Sequence, residues 1–284
     1  MPIRILHLRD THEIGGPGKT ILQSASYIDK SRFDLHIGVF LKRSESDIAP
    51  FITEARKRQI TIHVIRSLTQ FDPRLVLSLL KIIKEHEIDI IHSHETKSDI
   101  LAFAVKKIHS IPIITTLHGW IDNGMKGKFY TYLDKRIARA FDRIIAVSET
   151  IKNELIESSV SPGQIEVLHN SIVPEDYRNN GKRDQISKLL GNKSNSPVIG
   201  SIGRLSREKG HEDLIEAISV VLQRGYDVTL VLVGDGPEKP DLSRIIRDRK
   251  LESKVILTGY LQDIREIDTE VRRFNNPGRE WYLV

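Results

Sequence analysis

Two cations five positions apart, Arg204 and Lys209, stand in the segment GRLSREKGHEDLIEA, residues 203–217. An apolar run, PVIGSIG, ends at Gly203, and a helix is expected from about Gly210 to Arg224. Both side chains and the positive end of that helix can therefore converge on one point, which suits a diphosphate. Such a clamp would stabilise the charge that develops on a nucleoside diphosphate as it leaves a sugar. Without their flanks, the same two residues read as solvated surface charges. His118 follows the apolar run PIITTL, residues 112–117, at its carboxyl end, where open parallel sheets hold their ligands. A lone histidine there is more often a hydrogen-bonded structural group, so its assignment rests on context.

The segment GGPGKT, Gly15 to Thr20, ends like a triphosphate cradle. That cradle would need a glycine at position 13, where Glu13 stands instead, so hydrolysis of a nucleoside triphosphate through Lys19 is disfavoured. Ile3 to Leu8 reads as a buried strand, and Ile21, Leu22, Ala25 and Ile28 recur at helical spacing. The glycines thus join strand to helix, with free amides that can hold an anion or a sugar hydroxyl. A plain tight turn is the simpler alternative. Pro17 suits a first-turn position, and Lys19 falls at the helix start.

His92, His94 and Glu95 form one cluster that could suggest a metal. Two histidines on one strand face need further ligands from elsewhere, and the eleven histidines show no other metal spacing along the chain. They read as polar residues at a strand's carboxyl end, and no metal is expected. GDGP, Gly234 to Pro237, lacks the third glycine of a dinucleotide fingerprint and reads first as a turn.

Elements that would position these groups follow from the alternation of patterns. Strand-like runs at Leu35–Phe40, Thr61–Ile65, Asp89–His94, Pro112–Leu117, Arg143–Val147 and Ile165–His169 alternate with helical ones such as Leu75, Leu79 and Ile82. This rhythm predicts an α/β protein with a parallel sheet covered on both faces, one Rossmann-like domain over residues 1–170. Residues 171–196 are polar and read as an interdomain linker. Over residues 197–284 the alternation restarts, with strands at Val228–Val233 and Val255–Gly259, then a polar helical stretch from Asp263 to Arg273 and Asn275-Asn276-Pro277-Gly278. A second Rossmann-like unit is therefore expected, incomplete and with one sheet edge open.

In its 284 residues the chain is 39% hydrophobic and 29% charged, the composition of a globular protein. A formal charge of +5 favours phosphorylated substrates or an anionic membrane surface. Dispersed basic residues and 6% aromatics argue against nucleic acid. No long apolar run or signal peptide is evident and cysteine is absent, so a cytoplasmic location is expected, with room for peripheral contact at the inner membrane face.

The block GRLSREKGHEDLIEA, followed by VLVGDGP (231–237) and VILTGYLQDI (255–264), resembles the retaining family 4, or group 1, glycosyltransferases of GT-B fold. GGPGKT, TLHG (116–119), VSE (147–149) and EVLHNSIV (166–173) are also similar to segments of that family. The resemblance implies transfer of a sugar from a nucleoside-diphosphate sugar to a carbohydrate or lipid-linked acceptor, in cell-envelope or polysaccharide assembly, with no metal cofactor. It implies catalytic roles for His118, Arg204 and Lys209, His118 touching the transferred sugar. It also implies donor or phosphate binding by Gly15, Gly16, Arg204, Lys209, Gly234, Tyr260 and Leu261.

Two departures bear on that reading. Asn170-Ser171 stands where the family often has Asn-Gly. After Ile264 nothing matches the family's pair of glutamates eight positions apart, since Glu266, Glu270 and Glu280 lack both spacing and glycine-rich context. The chain therefore reads as truncated in its second domain. An inactive glycosyltransferase-like module that only binds or docks is the alternative.

Overall fold

All seven apolar runs of the first 170 residues become parallel strands in the computed structural model, which describes residues 1–10, 14–45, 47–69, 72–120, 124–171, 197–261, 272–276 and 279–283. They are β1 (Ile3–Arg9), β2 (Phe33–Lys42), β3 (Thr61–Ser67), β4 (Ile90–Ser93), β5 (Ile113–Leu117), β6 (Arg143–Ala146) and β7 (Ile165–Val167), ordered β3-β2-β1-β4-β5-β6-β7. Between them run α1 (Gly15–Tyr27), α2 (Pro50–Lys57), α3 (Arg74–Glu85), α4 (Thr96–Ile108), α5 (Gly124–Ala138) and α6 (Glu149–Glu157).

Alternation along β2 shows why both faces are covered. Leu35, Ile37, Val39 and Leu41 pack with Ile21, Leu22 and Ala25 of α1 and with Phe51, Ile52 and Ala55 of α2. Phe40 points the other way, joining Leu6, Leu8 and Ile91 beneath Leu75, Leu79 and Ile83 of α3 and Leu101 and Val105 of α4. Each fully buried leucine or isoleucine contributes about 1.5–3 kcal/mol, so the two layers dominate the stability of this unit. Strand order reverses between β1 and β4, which opens a crevice at the carboxyl edge there.

The chain divides into two compact units, residues 1–172 and 173–284. In the second, β8 (Val198–Ile202), β9 (Thr229–Val233) and β10 (Val255–Gly259) are parallel and adjacent. Leu214, Ile215 and Ile218 of α7 (His211–Gln223) and Leu242 and Ile246 of α8 (Lys239–Asp248) pack with Leu230, Leu232 and Val255. Residues 172–196, most of the expected linker, and 262–271, including Glu266 and Glu270, lie outside the described residues.

The helical stretch expected to reach Arg273 gives way, at Arg272, to a strand, β11 (Arg272–Asn276), paired antiparallel with β12 (Arg279–Leu283). β12 also pairs antiparallel with β8, Tyr282 opposite Gly200 and Leu283 opposite Ile199, so among the described residues the three parallel strands keep one unpaired edge, at β10. Phe274, Trp281 and Tyr282 are residue types that favour strands, and Pro277-Gly278 between them is a turn-forming pair, so a hairpin competes well with a helix.

Gly234 holds the loops of this unit together. Its φ is +143°, its N–H donates to the Gly259 carbonyl at 2.9 Å, and a Cβ built on it would lie 1.8 Å from the Gly203 carbonyl oxygen. No side chain fits. Gly234→Ala is expected to destabilise the second unit by on the order of 3 kcal/mol, read as a lowered urea midpoint of its unfolding.

Candidate functional site

At the β1/β4 crevice, parallel pairing sets His7 opposite His92, and the two rings lie 4.5 Å apart between centroids. His94, one residue past β4, brings Nε2 to 2.8 Å from His7 Nδ1, and His92 Nε2 is 2.8 Å from Thr116 Oγ1 of β5. His118 follows β5 with its ring 6.1 Å from that of His94. These four histidines and Thr116 line a cavity of about 160 Å³ whose other walls include Ile21 and Ser24 of α1, Ile145, Leu168 and Asn170. Burial holds His7 and His118 near pKa 4 and keeps His92 and His94 well below the ordinary value; Arg9 adds to the lowering at His118 and His94. All four rings are therefore neutral at pH 7. They offer hydrogen bonds rather than charge, and the buried atoms His94 Nδ1 and His118 Nε2 have no hydrogen-bond partner among the described residues.

Arg9, the last residue of β1, is 2% exposed. Its guanidinium lies 4.6 Å from the Phe51 ring centroid, donates to the Ile14 carbonyl at 3.2 Å and stands 3.7 Å from Glu95. A Cβ at Gly18 would come within 2.3 Å of Arg9 Nη1, so the glycine before Lys19 makes room for an internal cation. Gly15 and Gly16 form the exposed first turn of α1, which starts earlier than expected, and they are not among the cavity-lining residues. Glu95 accepts from the Asp10 N–H at 3.0 Å and caps α4 reciprocally with Ser98; burial raises its pKa to about 7 against the pull of Arg9.

On the opposite sheet face, Asp99 of α4 accepts from Ser93 and, at 2.8 Å, from Thr115. Burial, with Asp134 second, pushes its carboxyl well upward; Asp134 of α5 is also raised by burial and accepts from Trp120 Nε1 at 3.1 Å. Through Trp120, Asp134 fastens α5 to the loop His118-Gly119-Trp120, while Asp99 fastens α4 to β4 and β5.

In the second unit Arg204 and Lys209 are both exposed and lie past the carboxyl end of β8. Lys209 closes a single 3₁₀ turn and Gly210, at φ +64°, caps α7. Glu208 between them feels both cations, though its carboxyl is lowered chiefly by a hydrogen bond from Ser206. With the described residues Arg204 and Lys209 make no ion pair or hydrogen bond through their side chains. Loop-to-loop bonds, Gly203 N–H to Val233 and Leu205 N–H to Asp235, lock this edge to the end of β9. Tyr260, 72% exposed, leaves β10 at the same edge, and Leu261 packs against Val231 and Val233.

The structure thus puts His118 in one cavity and Arg204, Lys209, Gly234 and Tyr260 along one edge of the second sheet. His7, Arg9, Asp99 and Asp134 escape sequence reasoning because their partners lie on other elements. Two histidine triads, His7-His92-His94 and His36-His63-His86, each bring ligand atoms within 4.8 Å of one another. Linear spacing conceals both, because register and packing assemble them.

Residues 14–176 match Glycosyltransferase Family 4, and residues 182–271 match Glycosyl transferases group 1. UDP-Gal:alpha-D-GlcNAc-diphosphoundecaprenol alpha-1,3-galactosyltransferase of Escherichia coli is 26% identical over 276 residues, covering 93% of this chain and 70% of that protein. The capsular polysaccharide biosynthesis glycosyltransferase CapM of Staphylococcus aureus is 30% identical over 224 residues, covering 73% and 56%. In fold the chain is similar to HepE of Anabaena, solved with UDP and glucose, with a TM-score of 0.77 at 23% identity over 93% of this chain and 71% of that one. Two Rossmann-like units in succession are the GT-B fold.

Imidazole ¹⁵N shifts should report His7 and His118 as neutral at pH 6, with proton uptake only near pH 4. An unfolded chain takes up these protons near 6.5, so each of the two contributes progressively less stability as pH falls across that interval. Glu95, raised from 4.5 to about 7, acts in the opposite sense between those values.

Proposed function

This chain is a member of glycosyltransferase family 4, and we propose that it moves a sugar from a nucleoside-diphosphate sugar onto a carbohydrate or lipid-linked acceptor, with retention of configuration, in cell-envelope or polysaccharide assembly. The observation that carries this reading is the match of family 4 and group 1 sequences to the two units in succession. The E. coli relative, by its name, makes an alpha-1,3 linkage from UDP-Gal on a diphosphoundecaprenol acceptor, which supports the donor class and the lipid-linked alternative. CapM supports a polysaccharide product.

In this reading Arg204 and Lys209 hold the donor diphosphate, and Gly234 keeps their loop in place. Tyr260 and Leu261 flank the nucleoside, and the amides of Gly15 and Gly16 attract the phosphates. The sugar lies against His118, whose neutral ring hydrogen-bonds a hydroxyl through Nε2. The bond from the anomeric carbon to the phosphate oxygen breaks, and the acceptor oxygen bonds that carbon on the face the diphosphate leaves. The acceptor proton passes to a phosphate oxygen. Charge left on the diphosphate is offset by the two cations, so the scheme calls for no divalent ion.

Among the described residues no helix is long and apolar enough to cross a membrane. Phe129 and Tyr132 on α5 are 61% and 60% exposed beside Lys128 and Arg136, which supports peripheral contact with an anionic membrane surface.

The test is transfer from a panel of UDP-, GDP- and ADP-sugars, with the product anomer assigned by NMR. Arg204→Ala or Lys209→Ala should each lower kcat/KM by about 10²–10³-fold. Lys19→Ala should leave transfer intact. Undiminished transfer in both cation variants would remove the clamp, and an inverted product would remove retention.

A further inference from the structure

His36 on β2, His63 on the edge strand β3 and His86, the residue that caps the end of α3, come together although they are far apart in the chain. In parallel register His36 sits opposite Thr61 and His63 opposite Gly38, so the two histidines project from the same face on either side of a position with no side chain. Ring centroids are 5.3 Å apart for His36 and His63, 4.5 Å for His63 and His86, and 5.4 Å for His36 and His86. Ligand nitrogens of all three lie within 4.8 Å of one another.

We propose that His36, His63 and His86 form a binding site for a divalent transition-metal ion of zinc type, a clip that ties edge strand β3 to β2 and to the end of α3. His36 Nε2 faces Asp34 Oδ2 at 3.3 Å, the carboxylate–histidine arrangement that orients a metal-ligating ring and leaves Nδ1 with its lone pair outward. That Nδ1 stands 3.0 Å from His63 Nε2. Zinc bound at 2.0–2.1 Å from each nitrogen of a tetrahedral site needs nitrogens about 3.3 Å apart, so only a small opening of the pair is required. In the metal-free form the single N–H of neutral His63 lies on Nε2 and donates to His36 Nδ1; on binding the ring takes its other tautomer, with that proton on Nδ1, so Nε2 is free for the ion and no net proton is released. His86 is half-buried and caps the carboxyl end of α3, where the helix dipole favours a cation. Three imidazoles with a fourth position left to water suit zinc, copper or nickel better than magnesium or calcium. The cluster lies toward the amino ends of β2 and β3, whereas the cavity with His118 lies at the carboxyl edge, so the ion takes no part in sugar transfer.

The test is a zinc titration of the intact chain, purified without a polyhistidine tag, by calorimetry, repeated with cobalt to read tetrahedral d–d absorption. One ion per chain is expected, with a raised Tm. Binding should be lost in His86→Ala, at a helix end outside the core clusters, and in His63→Ala, both with the parent's circular dichroism, and weakened about tenfold in Asp34→Asn. His92→Ala should bind as the parent does. No binding at millimolar zinc, or binding that His86→Ala or His63→Ala leaves unchanged, or binding that moves with His92→Ala, overturns the assignment.

Discussion

A guanidinium buried at the end of β1 constrains everything around it. Arg9 has given up water, and a charge in that position persists only where partners surround it. The Phe51 ring, the Ile14 carbonyl and the Glu95 carboxylate supply them, each from a different element. The requirement extends outward. Gly18 must lack a side chain, so the first turn of α1 can settle onto the arginine, and Glu95 must stay near the end of β4 while capping α4. The same charge reaches the adjoining rings of His94 and His118 and helps keep them neutral.

Polar groups gather at this edge because the sheet reverses its order there. Crossovers diverge on either side of β1 and β4, and the crevice between them is where side chains at strand ends need not pack against a helix. Neutral imidazoles and a hydrophobic wall suit a sugar, which is polar at its rim and apolar on its faces. The second sheet presents a different chemistry at its carboxyl edge, with two exposed cations on a loop fastened by backbone hydrogen bonds to its neighbour. Rigid loops with solvated cations suit a diphosphate, since the charge is held in place before the ligand arrives.

The parallel strands were legible because each appears as a short apolar run bounded by polar residues, the inner ones such as β1, β2 and β9 buried along most of their length. His118 was legible for a related reason, standing directly after such a run. His7 and Arg9 were hidden inside one: in IRILHLR they look like the polar alternates of a half-exposed strand, and only pairing with β4 and packing under α1 give them meaning. Gly18 was legible only as part of the strand-to-helix turn, since the reason it lacks a side chain, the Arg9 guanidinium, comes from the end of β1. The hairpin β11–β12 was missed because five-residue strands rich in arginine and asparagine carry little hydrophobic periodicity, and their pairing with β8 is a long-range contact.

The proposed sugar transfer depends first on the second unit holding a nucleoside diphosphate through Arg204 and Lys209. A calorimetric titration of the chain with UDP, GDP and ADP, in parallel with Arg204→Ala and Lys209→Ala, tests it most directly. Binding of one of the three diphosphates, weakened in both variants, is the expected result. No binding to a folded chain, or binding that neither substitution weakens, would contradict it.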